Sequence, residues 1–371
     1  MAEIAFEKLR ELGEHITACN FCAACNRPNS GIEWCRLCSP HKNLSTGNSE
    51  IDEILYSRQI HAKNCDEIIE YVPHSDFKDI RQIGQGGFAF IYTATWEKKT
   101  PQEVSIPVVL KKSKNPIHEF IGEIRVHCDC SLANNYITQL YGITKDPITE
   151  EFMMVLEYAS KGNLRQFLKN ANSSELSWKN KTKILYDVIY DLHIIHKKGY
   201  VHKDLHSGNI LCFDYYTKIS DMGLSQSVYD SKPTVYGVMP YIAPEVLENE
   251  KYTYASDIYS FGIIMAEVSL GKPPYAEYPH DESLALAICN GLRPGLSAGT
   301  PEPYCELFRR CTDTVPEKRP SSEEIVTTIR AWLLFDEFEG AEINSGSNNF
   351  SQDSFPDSKL EQLSIPKSYS K

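Results

Sequence analysis

The segment His202-Lys203-Asp204-Leu205-His206-Ser207-Gly208-Asn209 puts a carboxylate five residues before a carboxamide, and Asp221-Met222-Gly223 adds a second carboxylate twelve residues after Asn209. Oxygen donors of this kind suit a magnesium-phosphate site, because magnesium is a hard cation that usually takes only one or two protein ligands. Upstream, Ile83-Gly84-Gln85-Gly86-Gly87-Phe88-Ala89-Phe90-Ile91 concentrates glycine in one short stretch. Glycine lets backbone amides approach phosphate oxygens with no side chain between them. Taken alone, that stretch is better explained by a plain hairpin. Lys111 closes the apolar run Val108-Val109-Leu110. Strand alternation sends Val109 and Lys111 to one face, and Glu123 on the next helical stretch can pair with the lysine. An ammonium held that way meets nucleotide phosphates. Ala243-Pro244-Glu245 follows in order. Order and spacing together make a phosphate-handling constellation, and context is what gives each motif its weight.

Such side chains need elements to hold them. Residues 77–83, 90–95 and 105–112 are rich in β-formers and predict strands, with the glycine turn between the first two. Residues 119–128 predict a helix, and 136–144 and 151–158 two further strands. Helical spacing and capping signals then dominate over 176–198, 256–270, 283–290 and 322–333. Strands followed by a helical block predict an α+β class with two lobes and a cleft between them. Ahead of this unit, residues 1–18 predict a short amphipathic helix with Ala5, Leu9, Leu12 and Ile16 on one face. A cysteine-dense segment covers 19–45, and a helical linker covers 46–73. In that linker Ser49 is expected to cap a helix with an Ile51, Ile54 and Leu55 stripe, and Pro73 ends a second apolar stretch. Residues 336–371 hold eight serines with little apolar periodicity and are expected to be disordered.

Over residues 74–335 the sequence resembles the eukaryotic protein kinases, nearest to the tyrosine-kinase-like Ser/Thr group, which includes fungal kinases with paired cysteines ahead of the catalytic domain. The resemblance implies the two-lobed protein kinase fold, with a small β-rich lobe, a larger α-helical lobe and ATP between them. It implies transfer of the γ-phosphoryl group to Ser/Thr hydroxyls of a protein substrate in intracellular signalling. By motif, Ile83, Gly84, Gln85, Gly86, Gly87, Phe88 and Ala89 would cover the phosphates, and Lys111 would contact them while paired with Glu123. Asp204 would orient the substrate hydroxyl, and Asn209 and Asp221 would hold magnesium. Leu156 would be the gatekeeper, the backbone of Glu157 and Ala159 would read adenine, and Ile91, Val109 and Leu211 would sandwich its ring. Glu245 would pair with Arg319, and Asp257 would anchor the catalytic loop.

Several positions depart from that pattern. Ala89 replaces the third glycine, Val109 the usual alanine beside adenine, and Met222 the usual phenylalanine, whose space an unbranched thioether can fill. Lys203 replaces an arginine and loses the planar fork that clasps a phosphate. That weakens the case for control by activation-loop phosphorylation, although Ser225, Ser227, Tyr229, Ser231, Thr234 and Tyr236 are present. His206 and Val238 stand where lysine and threonine are usual, which keeps dual specificity open as an alternative. A catalytically weak pseudokinase or signalling scaffold is another, against which the catalytic set is complete.

Cys22-Ala-Ala-Cys25 and Cys35-Arg-Leu-Cys38 are separated by nine residues. Four thiolates from two such turns complete a tetrahedral structural zinc site. Redox-active or free cysteines are the alternatives, and Cys19 and His41 lie close by. A protein partner is expected at this segment, since its five basic and five acidic residues over 1–45 do not make a nucleic-acid finger. The chain as a whole has 371 residues, with 38 Lys and Arg against 50 Asp and Glu, a net charge of −12. That balance argues against nucleic acid or an anionic membrane as the main partner. No apolar run reaches bilayer length, and the charged first residues carry no signal-peptide core, so a cytoplasmic or nuclear location is expected. Disulfides are not expected there, and the other seven cysteines read as buried thiols.

Overall fold

In the computed structural model the described residues are 45–62, 68–87, 89–98, 104–131, 137–172, 175–228, 236–335 and 338. The expected helix over 1–18, the four paired cysteines and nearly all of the serine-rich tail lie outside them.

The small lobe is a six-stranded sheet in the order β1-β5-β6-β4-β3-β2. Its strands are β1 (Glu70–Tyr71), β2 (Phe77–Gln85), β3 (Ala89–Lys98), β4 (Val104–Ser113), β5 (Leu140–Lys145) and β6 (Phe152–Glu157). Among the described strands only the β1–β5 pairing is parallel. Alternation along β4 works as the sequence predicts: Val108 and Leu110 are fully buried in a core with Phe77, Trp96, Met153 and Val155. Their neighbours Val109 and Lys111 turn towards the cleft. The face of the sheet that carries Lys111 also carries helix α2 (Ile117–Ser131), which lies between β4 and β5 in sequence.

The stretch expected as a linker contributes two elements to this lobe. Helix α1 (Ser49–His61) packs against α2, and β1 extends the sheet beside β5. Ser49 is not the cap of α1. That position belongs to Asn48, whose side-chain oxygen accepts from the Glu50 and Ile51 amides at 3.0 and 3.2 Å. Extended backbone at Asn48 lets one carboxamide oxygen reach both free amides, and Ser49 becomes the first helical residue.

The large lobe is built on α4 (Trp178–Lys197) and α6 (Tyr254–Leu270), with α3 (Leu164–Asn170), α5 (Pro244–Leu247), α7 (Glu282–Cys289), α8 (Glu302–Cys311) and α9 (Ser322–Leu334) around them. Helix α6 is apolar on nearly every side because it runs through the middle of the core. Thr253 and Ser256 close its start as a capping box, and Gly271, at φ +68°, ends it in the left-handed conformation. The helix therefore begins two residues before the predicted start. Residues 137–139, predicted as strand, instead link the lobes: the Thr138 amide and hydroxyl donate to the Ile219 carbonyl at 3.2 and 3.1 Å.

Candidate active site

Strand β4 and helix α2 bring Lys111 and Glu123 together at 2.5 Å, and Asp221 joins them with Oδ1 2.8 Å from the same ammonium. Burial alone would lower the lysine pKa, but the Asp221 and Glu123 carboxylates outweigh it and raise it. Burial would likewise raise Asp221; the Lys111 charge holds its carboxyl below the usual carboxylate range. The lysine is therefore a fixed cation at the junction of the lobes. His127 on α2 fastens the helix from another side, donating from Nε2 to the Thr138 carbonyl at 2.6 Å. Burial lowers its pKa to about 4, so the ring stays neutral.

Asp257, at the start of α6, anchors the segment that leads into Asp204. Its carboxylate accepts from the His202 and Lys203 amides at 2.8 and 3.0 Å and from the His196 ring at 2.9 Å. Held in this way, Lys203 takes φ +70°. Its ammonium donates to Gln226 at 2.6 Å and lies over the Tyr252 ring. Asn209 donates from Nδ2 to the Asp204 carbonyl at 2.9 Å and to Asp204 Oδ2 at 3.1 Å. That leaves the Asn209 amide oxygen to face other ligands. Asp204 Oδ1 is buried and has no hydrogen-bond partner among the described residues. An unmet acceptor of this kind costs about 1–3 kcal/mol, so a donor entering the cleft, such as a hydroxyl, is favoured there. Gly237 keeps the space open, since a Cβ on it would come within 3.2 Å of Oδ1. Val238, which lines the same cleft, brings no hydroxyl to fill it.

His206 accepts from the Gly208 amide at Nδ1, 3.0 Å away, so Nε2 carries a hydrogen. That atom lies 3.6 Å from Asp204 Oδ2. The imidazole thus sits beside the carboxylate with a donor turned towards it.

Lys111, Asp204, His206, Asp221, Gly237 and Val238 line one cleft of about 640 Å³. Ile83, Gly84, Gly86, Gly87, Ala89, Ile91, Val109, Leu156, Glu157, Ala159, Asn209 and Leu211 line it as well. Gln85 is exposed and does not line it, and Phe88 lies outside the described residues. The Glu157 side chain accepts from Tyr216 and Lys218, both at 2.8 Å. The glycine turn is tied by Gly86, whose amide donates to Ala89 at 2.9 Å and whose carbonyl accepts from Lys114 at 2.7 Å. Met222 is buried beneath the site. A second cavity of about 900 Å³, lined by Trp96, Tyr186, Asp191 and Lys218, is larger but includes none of Lys111, Asp204, Asn209 and Asp221. Volume alone would misplace the chemistry.

Asn209 and Asp221 offer oxygen donors on one wall of the cleft, a set that fits magnesium better than a softer metal. Among the described residues no group of three or more His, Cys, Asp and Glu side chains converges on a metal position. Reading the sequence missed Gly237 and Lys114 as parts of the site. A lone glycine in an irregular segment and one lysine after a strand carry no spacing signal.

A family profile for protein tyrosine and serine/threonine kinases matches residues 77–329. The chain is 30% identical over 282 residues to a putative serine/threonine-protein kinase/receptor of Acanthamoeba polyphaga mimivirus. It is 31% identical over 277 residues to the probable serine/threonine-protein kinase roco6 of Dictyostelium discoideum, and 26% identical over 282 residues to the human tyrosine-protein kinase FRK. These alignments take in 75%, 69% and 73% of this chain but span only 17%, 13% and 53% of the relatives' own lengths.

Proposed function

Because the chain belongs to the protein tyrosine and serine/threonine kinase family and is a protein kinase, we propose that it transfers the γ-phosphoryl group of ATP to serine and threonine hydroxyls of a protein substrate. The observation that carries this reading is the convergence of Lys111, braced by Glu123, and Asp221 with Asp204 and Asn209 on one cleft. Lys111 would hold the nucleotide phosphates, with Glu123 keeping its ammonium in place. Asp204 would receive the substrate hydroxyl at its unpartnered Oδ1 and orient it for attack. Asn209 and Asp221 would hold magnesium, which neutralises charge on the phosphates when bound. Ile91, Val109 and Leu211 would take the adenine ring between them. In phosphoryl transfer, positioning and charge stabilisation supply nearly all of the catalysis, and this set provides both.

The acceptor is argued from the segment leading to Glu245, which runs Tyr-Ile-Ala-Pro-Glu in the Ser/Thr style, and from relatives such as the mimivirus and Dictyostelium serine/threonine kinases. Incubation of the purified chain with labelled ATP and a mixed protein substrate should give phosphoserine and phosphothreonine. Phosphotyrosine as the sole product would overturn the assignment. Lys203 is engaged by Gln226 and Tyr252, which supports an enzyme that does not need a phosphate on its activation segment. Among the described residues no helix is long and apolar enough to cross a membrane. The reading places the enzyme in the cytoplasm or nucleus, in signalling.

The paired cysteines complete the proposal. Cys22, Cys25, Cys35 and Cys38 would bind one zinc ion whose tetrahedral positions are all filled by thiolate, which leaves none for catalysis. A segment this short buries little apolar surface, so the ion would supply stability on the order of 10 kcal/mol and shape a docking surface for a protein partner. Replacing Cys25 and Cys38 with serine should abolish zinc content and leave basal turnover within about twofold, well under the 1.36 kcal/mol of a tenfold change. Equal zinc in wild type and variant would refute the site. Lost turnover in a folded variant would refute its independence.

A further inference from the structure

The reach of Glu123 to Lys111 depends on where α2 sits, and the sheet is not the only thing that sets it. Phe120, Ile121, Ile124 and Cys128 of α2 are covered by Leu140, Ile143 and Met154 of the sheet and by Ile51 and Ile54 of α1. Ile51 is fully buried and Ile54 nearly so, although α1 lies ahead of the matched family region at 77–329. A polar contact fixes the same junction: the buried Arg58 guanidinium donates from Nη1 to the Cys128 carbonyl at 3.2 Å. Cys128 lies in the last turn of α2, where carbonyls lack helical partners and the helix end carries partial negative charge. An arginine there satisfies the carbonyl and complements the dipole. The other end of α1 is also fixed, since Asp52 accepts from the Thr46 amide and hydroxyl at 2.8 and 2.7 Å and from Ser45 at 2.8 Å. Helix α1 therefore has a rigid start, a buried stripe and a polar tie, all directed at the helix that carries Glu123.

From this geometry we infer that α1 is a positioning element of the catalytic centre, in which Ile51, Ile54 and Arg58 hold α2 where Glu123 meets Lys111. The inference rests on the kinase reading and extends it: turnover depends on a segment that precedes the family's matched region. Loss of the Arg58 tie lets α2 shift, separates Glu123 from Lys111 in part of the population, and lowers kcat by that fraction. Substrate contacts are untouched, so KM for the protein substrate stays put.

The test uses the full chain. Arg58→Ala should lower kcat about tenfold, equivalent to 1.36 kcal/mol, with KM for the protein substrate unchanged and faster backbone hydrogen exchange over residues 117–131. Arg58→Lys, which keeps a donor and a charge, should recover most of the loss. In a Glu123→Gln background, Arg58→Ala should cost no further activity, because a residue that acts through Glu123 has nothing left to position. A merely structural role predicts an added loss in that background, and this result would overturn the inference. So would wild-type kcat in Arg58→Ala. An inactive wild-type chain would instead overturn the kinase reading beneath it.

Discussion

Asp221→Asn is expected to abolish phosphoryl transfer and with it magnesium-dependent nucleotide binding, whereas Asp204→Asn abolishes transfer and leaves nucleotide bound. The difference follows from what each carboxylate touches. Asp221 pairs through Oδ1 with Lys111 at 2.8 Å and lines the cleft, so it would serve both the lysine proposed to hold the phosphates and the cation. Its neutral amide would make a weaker, uncharged metal ligand and remove half of the charge that fixes the lysine. A bound metal supplies several kcal/mol of charge stabilisation, and several kcal/mol is a loss of roughly 10³-fold or more. Asp204 touches Asn209 and presents an unpartnered Oδ1, with no ion pair to Lys111. Its amide would fail to accept the hydroxyl proton, at a cost of about 10²–10⁴-fold for a lost general base. Calorimetric titration with nucleotide, with and without magnesium, separates the two variants. Turnover like wild type in either one would break the assignment, and so would equal loss of nucleotide binding in both.

The parts of this site that the sequence makes legible are those fixed by short-range spacing. Asp204 and Asn209 are five apart on one loop, and Val109 and Lys111 share a strand face, so local geometry brings each pair to the cleft. The Lys111–Glu123 contact is longer in range: a strand-end lysine followed by a glutamate on the next helical stretch suggests the pair, and the resemblance assigns it. What the sequence hides depends on docking. Ile51, Ile54 and Leu55 announce an apolar stripe, but nothing in their spacing says that α2 is its partner. The cap at Asn48 in place of Ser49 is a choice between adjacent residues that both cap well, decided by backbone angle. Helix α3 has seven residues, and β7 (Tyr200–Val201) and β8 (Gln226–Ser227) have two each. Elements that short carry no periodicity to read. Gly237 matters because of the empty space it leaves beside Asp204, and an absence of atoms has no sequence signature.

The largest expected effect on stability comes from a residue outside the cleft. Arg319 donates from Nη1 and Nη2 to the two oxygens of Glu245, both at 2.7 Å, from Nη1 to the Ala255 carbonyl at 2.8 Å, and from Nε to the Asp313 carbonyl at 2.9 Å. Its side chain has no exposed surface and lies over the Tyr259 ring. A bidentate pair of this geometry satisfies both ions in the interior. Arg319→Ala would leave the Glu245 carboxylate, itself almost buried, with no counter-charge. Breaking one side of a buried pair costs about 3–5 kcal/mol, against a total stability of roughly 5–15 kcal/mol for a domain. Glu245 opens α5, directly after the segment that carries Gly237 past Asp204. The loss should therefore reach the active site as well as the core. Denaturant unfolding followed by Trp178 and Trp332 fluorescence, both buried in this lobe, should show the midpoint falling accordingly. Glu245→Leu combined with Arg319→Met should cost less than Arg319→Ala alone, because it leaves no charge unpaired. A shift within about 0.5 kcal/mol, the size typical of neutral surface changes, would show that the pair does not hold the lobe together. A double variant worse than the single would show that the two ions contribute net attraction beyond their desolvation, and that the pair stabilises the fold in its own right.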